Sequence, residues 1–251
     1  MPAPPFAWPD GKELAISISL DDGRGSQASV GYPILQEYGT RATFYVVPSA
    51  VEKHLDTWRA VLAAGHEIAN HSVTHPCSVN FTFAREKAIE AYTLERYEQE
   101  ELIACNRLIH DQFGIVPQTY AYPCGQTFIG RGAETKSVVP LVAKHFVAGR
   151  VFKSESHVTP ELCDLAQIPG RDFDMVTFET VQTWIDQARK EHAWLCLAGH
   201  EVGEAGRPQT VGTETLHALC RYAMDPANKV WIDTVAAVAV HVRDYQKAAA
   251  A

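Results

Sequence analysis

The segment Leu14-Ala15-Ile16-Ser17-Ile18-Ser19-Leu20-Asp21-Asp22-Gly23 decides the fold class. A short aliphatic run stops abruptly on two carboxylates and a glycine, the pattern of a buried parallel strand running into a turn. Similar runs recur at residues 42–47 (stopped by Pro48), 66–70 (after Gly65), 119–122 (before Pro123), 146–151, 165–168, 194–197 and, more briefly, 230–232. Between them, residues 26–38, 55–64, 83–113 (ending at Gly114), 180–191, 211–224 and 234–245 read as helices. Such alternation implies βα units about a parallel sheet. At 251 residues a barrel and a doubly wound sheet both fit, and periodicity does not choose between them.

No linker or repeat interrupts the pattern, so one domain is expected over residues 1–251. The formal net charge is −8 and basic residues are scattered, which argues against nucleic-acid binding, because phosphate contacts need a basic stripe. No apolar run approaches the roughly 18 residues of a membrane span. Residues 1–5 lack a charged region followed by an apolar stretch, so they do not read as a signal peptide, and the expectation is a cytoplasmic protein. The six cysteines are far apart, with no Cys-x-x-Cys pair. That argues against a thiolate zinc site and for reduced, mostly buried thiols. Residues 248–251, all alanine, are expected to fray.

The strand pattern also places the polar residues. Asp21 and Asp22 follow the first strand, His71 and His75 the third, Pro123-Cys124-Gly125 the fourth, Arg171 a later one and His200 the last strong one. All would lie at the carboxyl ends of strands, where α/β folds carry their chemistry. His71 and His75, three residues apart in between, can reach one cation from one helix face or tight turn. Taken alone they fit capping or surface residues equally well. Adjacent carboxylates repel unless something stabilises them. A solvated turn or a helix cap is the bland reading of Asp21-Asp22-Gly23; a cation accounts for the pair better, one carboxylate ligating while the other takes a proton. Two His and one carboxylate leave open positions on a metal, an arrangement for catalysis rather than structure. His200, directly after an apolar strand, is either structural or, facing the metal, the acid for a leaving amine or alcohol.

These segments together resemble the polysaccharide deacetylases, the fourth class of carbohydrate esterases. Ser19-Leu20-Asp21-Asp22-Gly23 resembles the family's first motif, His71-Ser72-Val73-Thr74-His75-Pro76 (preceded by Gly65 to Asn70) the second, and Leu197-Ala198-Gly199-His200 the last. Thr43-Phe44-Tyr45-Val46 and Val230-Trp231-Ile232-Asp233-Thr234 are also similar, so the resemblance spans about residues 14–245. It implies a distorted (β/α) barrel of seven parallel strands, Asp21 as catalytic base, Asp22, His71 and His75 as ligands of one divalent ion (zinc, with cobalt or nickel as alternatives), and His200 as catalytic acid. The third motif departs from the family's Arg-x-Pro-Tyr-Gly pattern: it reads Ala121-Tyr122-Pro123-Cys124-Gly125. A backbone N–H survives a change of side chain, so Cys124 can still serve the oxyanion; its thiol also admits a nucleophile reading. The motif's Arg, which steadies the base, is missing, and Arg171 is the candidate replacement from another strand. Asp172 or Asp174 is expected to orient His200; Arg171 and Asp172 also read as a local surface ion pair.

The resemblance implies metal-assisted removal of an N-acetyl group from a carbohydrate substrate, an amino sugar or a chitin-type oligosaccharide. The segment 78–83 and the loop 126–137 are expected to shape the pocket, with Phe128, Trp194 and Tyr122 as candidate stacking groups. Rival readings are an O-acetyl esterase on xylan-like sugars, a ring-opening amidase of the allantoin type, and a carbohydrate-binding protein that has lost turnover.

Overall fold

The structure, a computed structural model, describes residues 5–154 and 156–250. Most of the N-terminal segment read above and the last alanine lie outside them. Seven of the expected strands and one unexpected one, Arg171–Asp172, form one parallel sheet: β1 Leu14–Asp22, β2 Thr43–Val46, β3 Glu67–Asn70, β4 Thr119–Ala121, β5 Ala148–Arg150, β6 Arg171–Asp172, β7 Trp194–Gly199 and β8 Val230–Ile232. Seven run in the order β5-β4-β3-β2-β1-β7-β6, and β8 pairs with the first residues of β1, whose later residues pair with β2. The two ends of this order meet through residues 168–172. Ile168 bridges to Arg150 at the end of β5, while Arg171 and Asp172 pair with Leu197 and Ala198 of β7. This is the distorted α/β barrel.

Residues 165–168 were expected to be a strand. Leu165–Gln167 is instead a 3₁₀ turn, because the Asp164 carboxylate accepts from Ala166 N–H at 2.9 Å and closes the backbone locally. The helices are α1 Tyr32–Tyr38, α2 Leu55–Ala63, α3 Ala104–Phe113, α4 Val139–His145, α5 Phe178–Lys190, α6 Thr213–Met224 and α7 Val235–Ala250. The tail expected to fray continues α7 through Ala250, although its alanines are exposed. The helix expected over 83–113 begins only after Thr93, whose hydroxyl accepts from Arg96 N–H. The stretch before it is committed elsewhere. Cys77 bridges to Ala88, and the Glu90 carboxylate takes Ser78 Oγ at 2.6 Å and Val79 N–H at 3.1 Å. Tertiary bonds win there over helical periodicity.

Alternation along β1 sorts the core. Leu14, Ile16, Ile18 and Leu20 pack outward with residues of α1, α5 and α6 such as Leu35, Ile185 and Leu219. On the other face Ala15 packs with Tyr45, Ala69, Ala121, Ala148, Trp194 and Cys196, and with Val235, Val238 and Val242 of α7. Ser17 and Ser19, fully buried, continue that series and bond inside it: Trp194 Nε1 donates to Ser17 Oγ at 3.1 Å, and Ser19 Oγ donates to Leu197 O at 2.7 Å. The next position in the series is Asp21. Among the described residues no helix is long and apolar enough to cross a membrane.

Candidate active site

Asp21 is a carboxylate carried by strand alternation into the protein, with 3% of its surface exposed. It forms an ion pair with Arg150 from the end of β5. Arg150 is fully buried, stands 5.0 Å over the Tyr45 ring, and donates through Nη1 to Val151 O at 3.1 Å. Burial opposes its charge, but the Asp21 carboxylate together with Tyr45 and Cys196 outweighs burial and the guanidinium pKa is raised. Gly170 makes room for it: a Cβ there would stand 2.9 Å from Arg150 Cδ. Arg150 therefore takes the place proposed for Arg171. In register with Leu197, Arg171 carries its guanidinium over the Trp184 ring of α5, 4.3 Å from the centroid. An arginine inside the otherwise apolar run 146–151 was the available signal.

Asp22 has φ 76, a left-handed turn conformation that Asp tolerates. Its Oδ1 lies 3.4 Å from His71 Nε2 and 3.5 Å from His75 Nε2, and its Oδ2 lies 2.7 Å from Arg24 Nη2. Burial alone would raise its pKa; His71, His75 and Arg24 outweigh that and hold it well below the carboxylate range. His71 Nδ1 is 2.9 Å from the Ala121 carbonyl. A carbonyl only accepts, so Nδ1 carries a proton, and Nε2 is the nitrogen that faces Asp22. His75 is pushed down to about 4 by burial and then by His71, so its neutral form prevails at pH 7.

The turn between the two histidines is held by side chains from within it and from outside it. Ser72 and His75 have φ 66 and 53. Asn70 Oδ1 accepts from Ser72 N–H at 2.7 Å, and Ser72 Oγ from His75 N–H at 3.0 Å. Glu101, 1% exposed, accepts from Val73 N–H and Thr74 N–H at 2.9 Å each, Thr74 Oγ1 at 2.7 Å and Tyr92 Oη at 2.5 Å. Glu101 sits on a π-helical turn, Tyr97–Ile103. A second such turn, Gln27–Gly31, presents Gln27, whose Nε2 donates to Asp21 O at 2.5 Å and His200 O at 2.9 Å. Both wide turns thus deliver a buried polar side chain to the loops of the site, a setting where π turns recur.

His200, at the end of β7, is held by Asp174. Oδ2 is 2.6 Å from Nδ1, and Oδ1 accepts from the His200 backbone N–H at 2.9 Å. Of the two expected carboxylates it is Asp174 that orients His200; Asp172 Oδ1 accepts from Asp174 N–H at 3.2 Å. Burial disfavours the imidazolium, but Asp174, Asp21 and Asp22 outweigh burial and raise the His200 pKa.

Cys124, φ 54, occupies the turn after β4. It is not a free thiol: it forms a disulfide with Cys77, with Cα atoms 6.1 Å apart. This corrects the expectation of reduced cysteines for this pair and removes the thiol-nucleophile reading from the oxidised protein. Cys105, Cys196 and Cys220 are buried free thiols, and Cys163 is a partly buried one. No local spacing could reveal a pair 47 residues apart.

Asp21, Asp22, Arg24, His71, His75, Cys124 and His200 line one cleft of about 600 Å³, with Phe81, Phe83, Phe152, Lys153 and Gln209. A hollow of about 770 Å³ beside Lys144, Asp164, Arg243 and Lys247 contains none of these groups. The segment 78–83 reaches the cleft as expected, through Phe81 and Phe83. The loop 126–137 does not line it; Phe128–Ile129 and Lys136–Ser137 pair with each other instead. The three aromatics proposed for stacking belong to the core. Tyr122 Oη donates to Ala166 O at 2.6 Å, Trp194 bonds Ser17, and Phe128 packs against a buried cluster.

The family model described as polysaccharide deacetylase matches residues 9–145, more than half of the chain. The chain belongs to the polysaccharide deacetylase family. A gellan lyase from Bacillus sp is 35% identical over 57% of this deacetylase-family chain and 5% of its own length. A chitooligosaccharide deacetylase from Rhizobium leguminosarum bv. trifolii is 34% identical over 38% of this chain and 43% of its own. The chain thus spans less than half the length of these curated relatives. In fold it is similar to a solved putative polysaccharide deacetylase from Mycobacterium smegmatis, with a TM-score of 0.65, 20% identity, and 97% and 95% of the two chains covered.

Proposed function

We propose that this polysaccharide deacetylase family member is a metal-dependent hydrolase that removes N-linked acetyl groups from an amino sugar or chitin-type oligosaccharide, using Asp22, His71 and His75 as the ligands of one divalent ion, zinc by preference. The observation that carries the proposal is the convergence of these three donors with Asp21–Arg150 and His200–Asp174 on one cleft. The donor set fits a metal. Ligand atoms of a tetrahedral zinc at about 2.1 Å stand about 3.4 Å from one another, and Asp22 Oδ1 lies 3.4 and 3.5 Å from the two histidine Nε2 atoms. The Ala121 carbonyl fixes the His71 tautomer that ligation needs.

When bound, the ion would polarise the acyl oxygen and make water acidic near neutral pH. The remaining work belongs to the chain. Asp21, oriented by its ion pair with Arg150, takes a proton from the attacking water as its oxygen bonds to the acyl carbon. Cys124 lines the cleft, and in this reading its backbone N–H receives the charge that develops on the acyl oxygen. Protonated His200, held by Asp174, gives its proton to the nitrogen as the C–N bond breaks, leaving acetate and a free amine. Arg150 supports turnover over a binding-only role, because the base has its cationic partner although the third motif lacks an arginine.

The test is acetate release by the zinc-loaded protein. N-acetylglucosamine oligomers should be substrates, acetylated xylan and allantoin poor ones. Faster release from xylan would replace the amide reading with the ester one, ring opening of allantoin would favour the amidase, and no turnover of any of them would leave binding alone.

A further inference from the structure

The disulfide lies against one of the proposed ligands. Cys77 Sγ is 3.6 Å from His75 Nδ1, while His75 Nε2 faces Asp22 at 3.5 Å. One imidazole therefore turns its two nitrogens toward two separate donor sets. His75, Cys77 and Cys124 each offer a ligand atom, and these atoms lie within 4.8 Å of one another.

We propose that Cys77, Cys124 and His75 form a second metal site, created when a dithiol reduces the disulfide, that takes a thiophilic divalent ion such as zinc. Reduction transfers two electrons and two protons from the dithiol to the disulfide. The S–S bond breaks, the dithiol leaves as its own disulfide, and Cys77 and Cys124 become thiols. The ion then displaces one proton from each thiol. Two thiolates and one imidazole are a soft donor set that zinc accepts in tetrahedral sites with one position left open.

The site is preorganised because both cysteines are fixed by bonds that the disulfide does not supply. Cys77 is fully buried, its carbonyl accepts from Ile89 N–H at 3.1 Å, and it bridges to Ala88. The next residue donates Ser78 N–H to Gln126 Oε1 at 2.8 Å, which ties the Cys77 segment directly to the Cys124 turn. That turn is closed by Gly125 N–H to Tyr122 O at 2.8 Å and Gln126 N–H to Pro123 O at 3.0 Å. It is pressed against the next strand end, since a Cβ on Gly125 would stand 2.8 Å from Phe152 N. His75 is anchored by its own backbone bond to Ser72. When the S–S bond opens, the sulfurs have only to separate to the spacing of two ligands on one ion.

A neutral imidazole has a single free lone pair. An ion on Cys77 and Cys124 that uses His75 Nδ1 therefore withdraws His75 from Asp22 and His71. This consequence rests on the proposed deacetylase reading; the thiolate site itself does not.

Cobalt titration tests the proposal, with the reductant, dithiothreitol, removed anaerobically before metal is added. Thiolate-to-cobalt charge-transfer absorption should appear in the reduced wild-type protein and in reduced His71→Ala. It should be absent from the oxidised protein and from reduced Cys77→Ser, and weakened or shifted in His75→Ala. Absence of the band in reduced wild-type protein, or its survival in Cys77→Ser, overturns the proposal. So does loss of the far-ultraviolet circular dichroism on reduction before any metal is added, because the site requires both segments to hold without the disulfide. In the activity arm, a second equivalent of zinc should lower acetate release at least tenfold in the reduced protein and spare the oxidised one. A cobalt band with no acetate released under any condition would sink the deacetylase reading and leave the thiolate site standing; a band with undiminished release would overturn the sharing of His75.

Discussion

At the scale of single residues, the site is a set of short polar groups whose states are fixed by partners from other strands. Arg150 is the clearest case. It is a buried cation whose carboxylate partner is the proposed base, and removing one member of a buried pair costs about 3–5 kcal/mol because the other is left uncompensated. Arg150→Met should lower kcat by roughly 10²–10⁴-fold, the usual worth of a positioned general base, while the bound zinc measured by elemental analysis stays at one equivalent. Arg150→Lys should recover part of the loss. Equal loss of zinc and rate would show that Arg150 serves only the fold. The acid gives a prediction in pH. Burial disfavours the His200 imidazolium and Asp174 with Asp21 and Asp22 outweighs it, so its pKa lies above the ordinary histidine value. Donation requires the protonated form, so rate falls as pH rises through that pKa. Asp174→Asn removes the foremost raising partner and should move the alkaline limb of kcat to lower pH; an unmoved limb would assign that limb to another group.

At the scale of elements, loops are positioned by side chains from distant helices. Glu101 gathers the turn between His71 and His75 from a π turn at the start of the long helix, with four hydrogen bonds to Val73, Thr74 and Tyr92. Its loss leaves buried donors unsatisfied, about 1–3 kcal/mol each before water or relaxation recovers some of it. Glu101→Ala should weaken zinc binding about 10–100-fold, the usual effect of removing support behind a ligand, and lower Tm. Competitive titration with a zinc chelator reads the first effect and calorimetry the second. Unchanged zinc affinity in a destabilised variant would confine Glu101 to stability. Gly170 makes the corresponding argument for Arg150. A Cβ there would clash with the Val151 carbonyl oxygen and meet Arg150 Cδ at 2.9 Å, and Gly170→Ala should cost about 1–3 kcal/mol by overpacking, read as a lowered Tm, with a larger proportional loss of kcat than of zinc.

At the scale of the whole molecule, what the sequence disclosed and what it hid have one physical cause. Asp21, Asp22, His71, His75 and His200 each stand at or just beyond a strand end, and strand periodicity is a local signal. The strand alternation that buries Ser17 and Ser19 also aims Asp21 inward, so its place in the cleft was readable from β1 alone. Arg150, Glu101, Gln27 and the Cys77–Cys124 bond were not, because each acts across the barrel. Arg150 lies 129 residues from Asp21 and Gln27 lies 173 from His200. Sheet closure through residues 168–172, rather than any local motif, brings such groups together. The same cause explains the misplaced helix start. Cys77, Ala88 and Glu90 tie residues 77–90 into the cleft wall, and a helical pattern read over residues 83–113 does not register those distant bonds.

In the proposed reaction one metal held by Asp22, His71 and His75 works with Asp21 as base to release acetate. The most direct measurement follows zinc content and acetate release from N-acetylglucosamine oligomers together, in wild-type protein, His71→Ala and Asp21→Asn. The account predicts one zinc and turnover in the wild type, loss of both in His71→Ala, and retained zinc with turnover lost in Asp21→Asn. Full acetate release by His71→Ala, or by wild-type protein stripped exhaustively by a chelator, would contradict it.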